Sequence, residues 1–161
     1  MPDNEQIEPP VGIEPSKAKN EPSLVSLLFF NFINETKEGK VNLLGVFDRI
    51  YVDPETKVSL PFGVFVRVAN AFGAPVRCDA FTPDNSFVGG LMLLAEEGFK
   101  LPDGRKPIQI QIAGHMKLTT PVEGTYWFVV SYKEKVLGAC PLLVEYKDLK
   151  ELESEHTRGD G

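Results

Sequence analysis

PIQIQIAGHMKL, residues 107–118, puts Ile108, Ile110, Ile112, Gly114, Met116 and Leu118 on one side of an extended chain. Gln109, Gln111, Ala113, His115 and Lys117 fall on the other. Successive side chains of a strand point to opposite faces, so this stretch reads as a half-buried strand with one wet side. A few residues on, PVEGTYWFVVSYKEKVLGACPLLVEY (121–146) holds two apolar runs around Lys133-Glu134-Lys135, the signature of a β-hairpin.

Working outward, the same rhythm fills the middle of the chain. Leu24 to Asn34, Lys40 to Val52, Leu60 to Ala71, Val76 to Phe81 and Phe87 to Ala95 read as strands. Between them lie the turns Thr36-Lys37-Glu38-Gly39, Asp53-Pro54-Glu55-Thr56, Thr82-Pro83-Asp84-Asn85 and Pro102-Asp103-Gly104-Arg105. In the third run Leu60, Phe62, Val64, Val66 and Val68 are expected inward and Arg67 outward. The expected fold is all-β, an antiparallel two-sheet β-sandwich of about eight strands. With 161 residues, 42% of them hydrophobic, the chain can bury one substantial core. The 13 Pro and 14 Gly spread along it favour many short strands over long helices.

The ends differ from the middle. Residues 1–22 contain Pro2, Pro9, Pro10, Pro15 and Pro22 and almost no bulky apolar side chain, so they read as a disordered Pro/Glu-rich tail. Residues 23–146 are the sandwich. Residues 147–161 read as a charged tail or a short helix, with Leu149 and Leu152 three apart. Most of the net charge of −6 sits in these two ends, and the middle is nearly neutral. No basic stripe of the kind nucleic acid requires is present. The first residues lack a basic n-region and an apolar h-region, and no apolar run reaches the ~20 residues that span a bilayer. A cytoplasmic protein without membrane attachment is expected.

Catalytic signatures are sparse. His115 falls on the polar side of a strand and His156 in the charged tail, neither with metal-ligand spacing to Cys, His or carboxylate. Cys78 and Cys140 both fit inward positions, and a reducing compartment favours two free, buried thiols. Asp53, Glu55, Asp84, Asp103 and Glu123 occupy turns singly, which is ordinary turn chemistry before it is calcium binding. Trp127, Phe81, Phe87 and Phe99 are the aromatics that sugar binding would use, and core packing accounts for them more simply. Asn34-Glu35-Thr36 matches a glycosylation acceptor and carries no weight in a protein that is not secreted. No cofactor is expected.

Two local features are more specific. Tyr126 follows Pro121-Val122-Glu123-Gly124 at the start of a late strand, as in a tyrosine corner, where the hydroxyl returns to nearby backbone. Gly124 would supply the backbone conformation that a side chain forbids. Second, the first strand and the last hairpin are apolar on both faces: Phe29 against Phe30, and Trp127 and Val129 against Tyr126 and Phe128. Either a loop or helix covers the extra face, or another chain does. Phe29, Trp127 and Val129 are therefore the candidate interface residues.

The run Gly39 to Asp48 reads G-K-x-N-x-x-G-V-F-D. Together with the late strand Gly124-Thr125-Tyr126-Trp127-Phe128 and the returning Ala139-Cys140-Pro141-Leu142, it resembles a family of small bacterial β-sandwich proteins known only as a domain of unknown function. The resemblance spans about residues 23–146 and leaves out the acidic N-terminal extension. It implies a sandwich and no particular activity. On physical grounds Gly45 marks a bulge or close approach and Asp48 ties a turn. The chain thus reads as a non-enzymatic interaction or accessory module, with a protein partner or homo-oligomer. The alternative is a sandwich that binds carbohydrate or calcium.

Overall fold

The computed structural model describes residues 21–37, 40–93, 109–148 and 150–151. The expected N-terminal tail lies outside the described residues up to position 20. So does the C-terminal tail or helix from position 152 on. Ten strands are present among the described residues, β1 (Ser23–Phe30), β2 (Phe32–Glu35), β3 (Val41–Leu44), β4 (Arg49–Val52), β5 (Phe62–Ala69), β6 (Val76–Phe81), β7 (Phe87–Leu93), β8 (Gln109–Met116), β9 (Gly124–Tyr132) and β10 (Lys135–Tyr146).

They form a three-stranded sheet, β1-β5-β8, and a five-stranded sheet, β4-β10-β9-β6-β7, with β2 and β3 as a separate hairpin. The two larger sheets pack face to face as a β-sandwich. Every pairing is antiparallel except β4 with β10, which is parallel. The expected antiparallel sandwich is present, with β4 added along β10 as its one parallel pairing among the described residues.

Alternation along the strands builds the core. Val64, Val66 and Val68 of β5 face Tyr126, Phe128, Val130 and Tyr132 of β9, all buried. Phe29, Phe62 and Phe128 meet edge to face at its centre, with Phe29 and Phe128 ring centroids 4.7 Å apart. Each such side chain removed from water contributes about 1.5–3 kcal/mol. The β9–β10 hairpin turns at Lys133 and Glu134, both with positive φ, which matches the twist of the strands it joins.

Three strand readings are corrected. Leu24 to Asn34 is two strands, broken at Asn31, whose amide donates to the carbonyls of Leu44 and Gly45 at 3.2 Å each. Lys40 to Val52 is likewise two, β3 and β4, parted at Gly45. Leu60 does not point inward but is 69% exposed. Pro61 lacks an N–H, so the ladder of β5 begins only at Phe62, opposite Met116.

On the outer face of β1, Phe30 has its cover within the fold, whereas Leu28 stays exposed. Phe30 is fully buried, and its ring lies so close over Gly63 that any Cβ there would clash with it. The ring also meets the edge of His115 on β8, centroids 5.6 Å apart.

The signature run is a crossover between the sheets. Gly45 adopts a φ of +65°, and a Cβ there would meet Asn31 Nδ2 at 2.7 Å. Gly45 therefore makes a close approach, but as the break between strands rather than a bulge within one. Beyond it the Phe47 amide donates to the Phe29 carbonyl on β1 at 3.1 Å, and the Asp48 carbonyl accepts from the Leu143 amide on β10 at 2.9 Å. Two consecutive residues thus hydrogen-bond to opposite sheets. Asp48 ties this turn through its backbone.

Candidate functional site

The outer surface of the five-stranded sheet is set by the register of its strands. On β9 the buried set Tyr126, Phe128, Val130 leaves Thr125, Trp127, Val129 and Ser131 outward. Trp127 stands opposite Pro141 on β10 and opposite Phe81 on β6, and Phe81 stands opposite Phe87 on β7. Pro141, Trp127, Phe81 and Phe87 therefore form one apolar row across four strands. Trp127 is 43% exposed and Phe87 58%, and the rings of Phe81 and Phe87 meet edge to face at 6.0 Å. Val129 and Ala139, opposite each other, extend the apolar surface into the next row.

Charge of both signs lies on this face. Arg77 and Asp79 are joined by a two-pronged contact, with nitrogen–oxygen distances of 3.3 and 3.4 Å. The Asp79 carboxylate lies directly over Gly90 on the neighbouring strand. At the opposite margin Arg49 pairs with Glu145 at 3.5 Å.

At Pro141 the row reaches a cleft of about 360 Å³ between β1, the crossover and β10. Leu27, Leu28, Val46, Phe47, Asp48 and Pro141 contribute to its lining. It is mainly apolar, with the exposed Asp48 its acidic member.

Of the three candidate interface residues, Trp127 lies at the middle of the exposed row and Val129, half-buried, beside it. Phe29 is corrected: at 2% exposure it is a core residue and cannot anchor a contact. Phe81, Phe87 and Pro141 were not assigned together from sequence. Alternation already places Phe81 opposite Cys78 and Ala80, yet only strand register reveals that the three align with Trp127.

Among the described residues, the turn carboxylates of Asp53, Asp84 and Glu123 are engaged locally. Asp53 Oδ1 accepts from the amides of Glu55 and Thr56 in its own turn. Asp84 accepts from the Thr82 hydroxyl, and that bond chiefly holds its carboxyl below the ordinary value. Glu123 accepts from the Tyr146 amide. Burial pushes the Cys78 thiol up from 9.0 to about 12, with a further push from Asp79, so it stays protonated and unreactive. Burial also raises the Cys140 thiol. Both cysteines are free. Among the described residues no three His, Cys, Asp or Glu side chains converge as a metal would require. No helix among them is long and apolar enough to cross a membrane.

The late strand carries the corner its sequence suggests. The buried Tyr126 hydroxyl donates to the Val122 carbonyl at 2.7 Å, while Gly124, at φ +130°, packs where a Cβ would meet Pro83 at 2.8 Å. In strand order β1, β5 and β8 take the A, B and E places of an immunoglobulin sandwich, and β10, β9, β6 and β7 the G, F, C and C′ places. The architecture is immunoglobulin-like. Among solved structures the chain is similar to an immunoglobulin-like protein from Pseudomonas aeruginosa, at 14% identity and a TM-score of 0.38, over 80% of this chain and 99% of that one. It is also similar to part of a protein described as a β-galactosidase from Bacteroides fragilis, at 17% identity and a TM-score of 0.32, over 72% of this chain and 16% of that one. No family model matches the chain, and no curated protein does.

Proposed function

We propose that this domain is a non-enzymatic interaction module of the cytoplasm that docks a protein on the outer face of its five-stranded sheet. The observation that carries the reading is the position of Trp127, the chain's single tryptophan, 43% exposed at the centre of a four-strand apolar row. Interface energy concentrates in central aromatic anchors, with Trp foremost. Among the described residues Asp53, Asp79, Asp84, Glu123 and Glu145 are tied into turns and ion pairs, and the Cys78 thiol is protonated in the core.

A photo-reactive residue at Thr125, exposed beside Trp127, compared with one at Ala113, exposed on β8 of the other sheet, tests this reading. In intact cells the Thr125 probe should give a discrete protein adduct that Trp127→Ala abolishes. No adduct at Thr125, or the same adducts at both positions, would remove the reading.

A second reading draws on the same row. Trp127, Phe81 and Phe87, with Asp79 and Arg77 beside them, form an aromatic platform flanked by hydrogen-bonding groups, as a carbohydrate site would be. Saturable change in Trp127 fluorescence on titration with oligosaccharides would favour it over a protein partner.

A further inference from the structure

We infer that the occupant of this face is a second copy of the same chain, an inference that rests on the docking reading and names its partner. Charge selects against many other pairings. The chain carries a net −6, so two copies repel over most approaches. The outward positions of the five-stranded sheet are different. Their charged side chains include the pairs Arg77 with Asp79 and Arg49 with Glu145, and Lys147 at the end of β10 lies over the Tyr51 ring. The face carries both signs and flanks an apolar row. An isologous interface needs a patch complementary to itself, and a surface bearing both positive and negative groups meets that need where a one-signed patch cannot.

Size sets the strength. Five strands about 4.8 Å apart, with seven residues of β9 rising about 3.4 Å each, make a face roughly 20 Å on a side. Two such faces, with their side-chain relief, bury on the order of 1,000 Å², at the low end of specific interfaces. The pair is therefore a weak, reversible dimer.

The test uses the purified full-length chain. Sedimentation velocity at rising concentration should show a monomer–dimer equilibrium. Trp127 emission should shift to the blue over the same range as the indole leaves water. Arg77→Asp turns the face net acidic, and Asp79→Lys turns it net basic. Each variant alone should self-associate at least about tenfold more weakly than wild type, and an equimolar mixture should recover association, because the two faces now attract. Asp79 packs over Gly90, so a thermal melt accompanies its variant. Should Asp79→Lys unfold, Arg77→Asp and Trp127→Ala must still each weaken the dimer. A wild type that stays monomeric throughout would overturn the second copy, as would a dimer indifferent to these changes. In that case a Thr125 adduct of another mass leaves the docking reading standing, and no adduct at Thr125 removes both.

Discussion

The Tyr126 hydroxyl donates a hydrogen bond to the carbonyl of Val122, four residues upstream and 2.7 Å away. The ring is fully buried, so this bond satisfies a hydroxyl that water cannot reach, and it clamps the turn that delivers the chain into β9. Because β9 lies between β10 and β6, the angle of that entry sets the position of the whole outward row, Trp127 included.

Removing the hydroxyl alone isolates this contribution. Tyr126→Phe should cost about 0.5–1.5 kcal/mol, the net value of one hydrogen bond, with an unchanged denaturant slope. A chemical melt measures it. A neutral result would mean that ring packing alone fixes the corner.

Gly124 supports the same turn through its backbone. Gly124→Ala adds a Cβ at φ +130° that would meet Pro83 Cγ at 2.8 Å. Strain and contact together should destabilise by about 1–3 kcal/mol, more than an ordinary surface change. The same melt checks it, and a stability within ~0.5 kcal/mol of wild type would contradict it.

Two aromatics that look alike in sequence should separate in stability. Phe29→Ala empties a site against Phe62 and Phe128 and should cost about 3–5 kcal/mol. Trp127→Ala, at an exposed position, should cost only about 1 kcal/mol. Equal losses would place Trp127 in the core and leave the outer face without its anchor.

Cys78 predicts an alkaline pH dependence. Its thiol titrates at about 12 in the folded chain and at 9.0 ordinarily, so above pH 9 the unfolded state loses its proton first. The stability it contributes is intact below pH 9 and declines as pH rises from 9 toward 12. Cys78→Ala should flatten that decline in melts across the range. At neutral pH a thiol reagent should reach Cys78 only after unfolding, whereas the half-buried Cys140 reacts sooner. Prompt native labelling of both thiols would show that the core is open at β6.

What the sequence determined by itself was local. Period-two alternation identified the strand that follows Lys106 and the buried side of β9. The Lys133-Glu134-Lys135 stretch identified the final hairpin, and the spacing from Pro121 to Tyr126 identified the corner. Each follows from residues a few positions apart, within reach of one strand's pleat or one turn's backbone. Tertiary structure alone decided the rest. Phe29 and Trp127 sit in equally apolar runs, yet one joins the ring cluster between the sheets and the other faces water. The break at Asn31 depends on carbonyls of Leu44 and Gly45, and the parallel pairing of β4 with β10 joins segments some ninety positions apart. The apolar row exists only because four strands align Pro141, Trp127, Phe81 and Phe87, and register between strands distant in the chain is set by how both sheets close over one core.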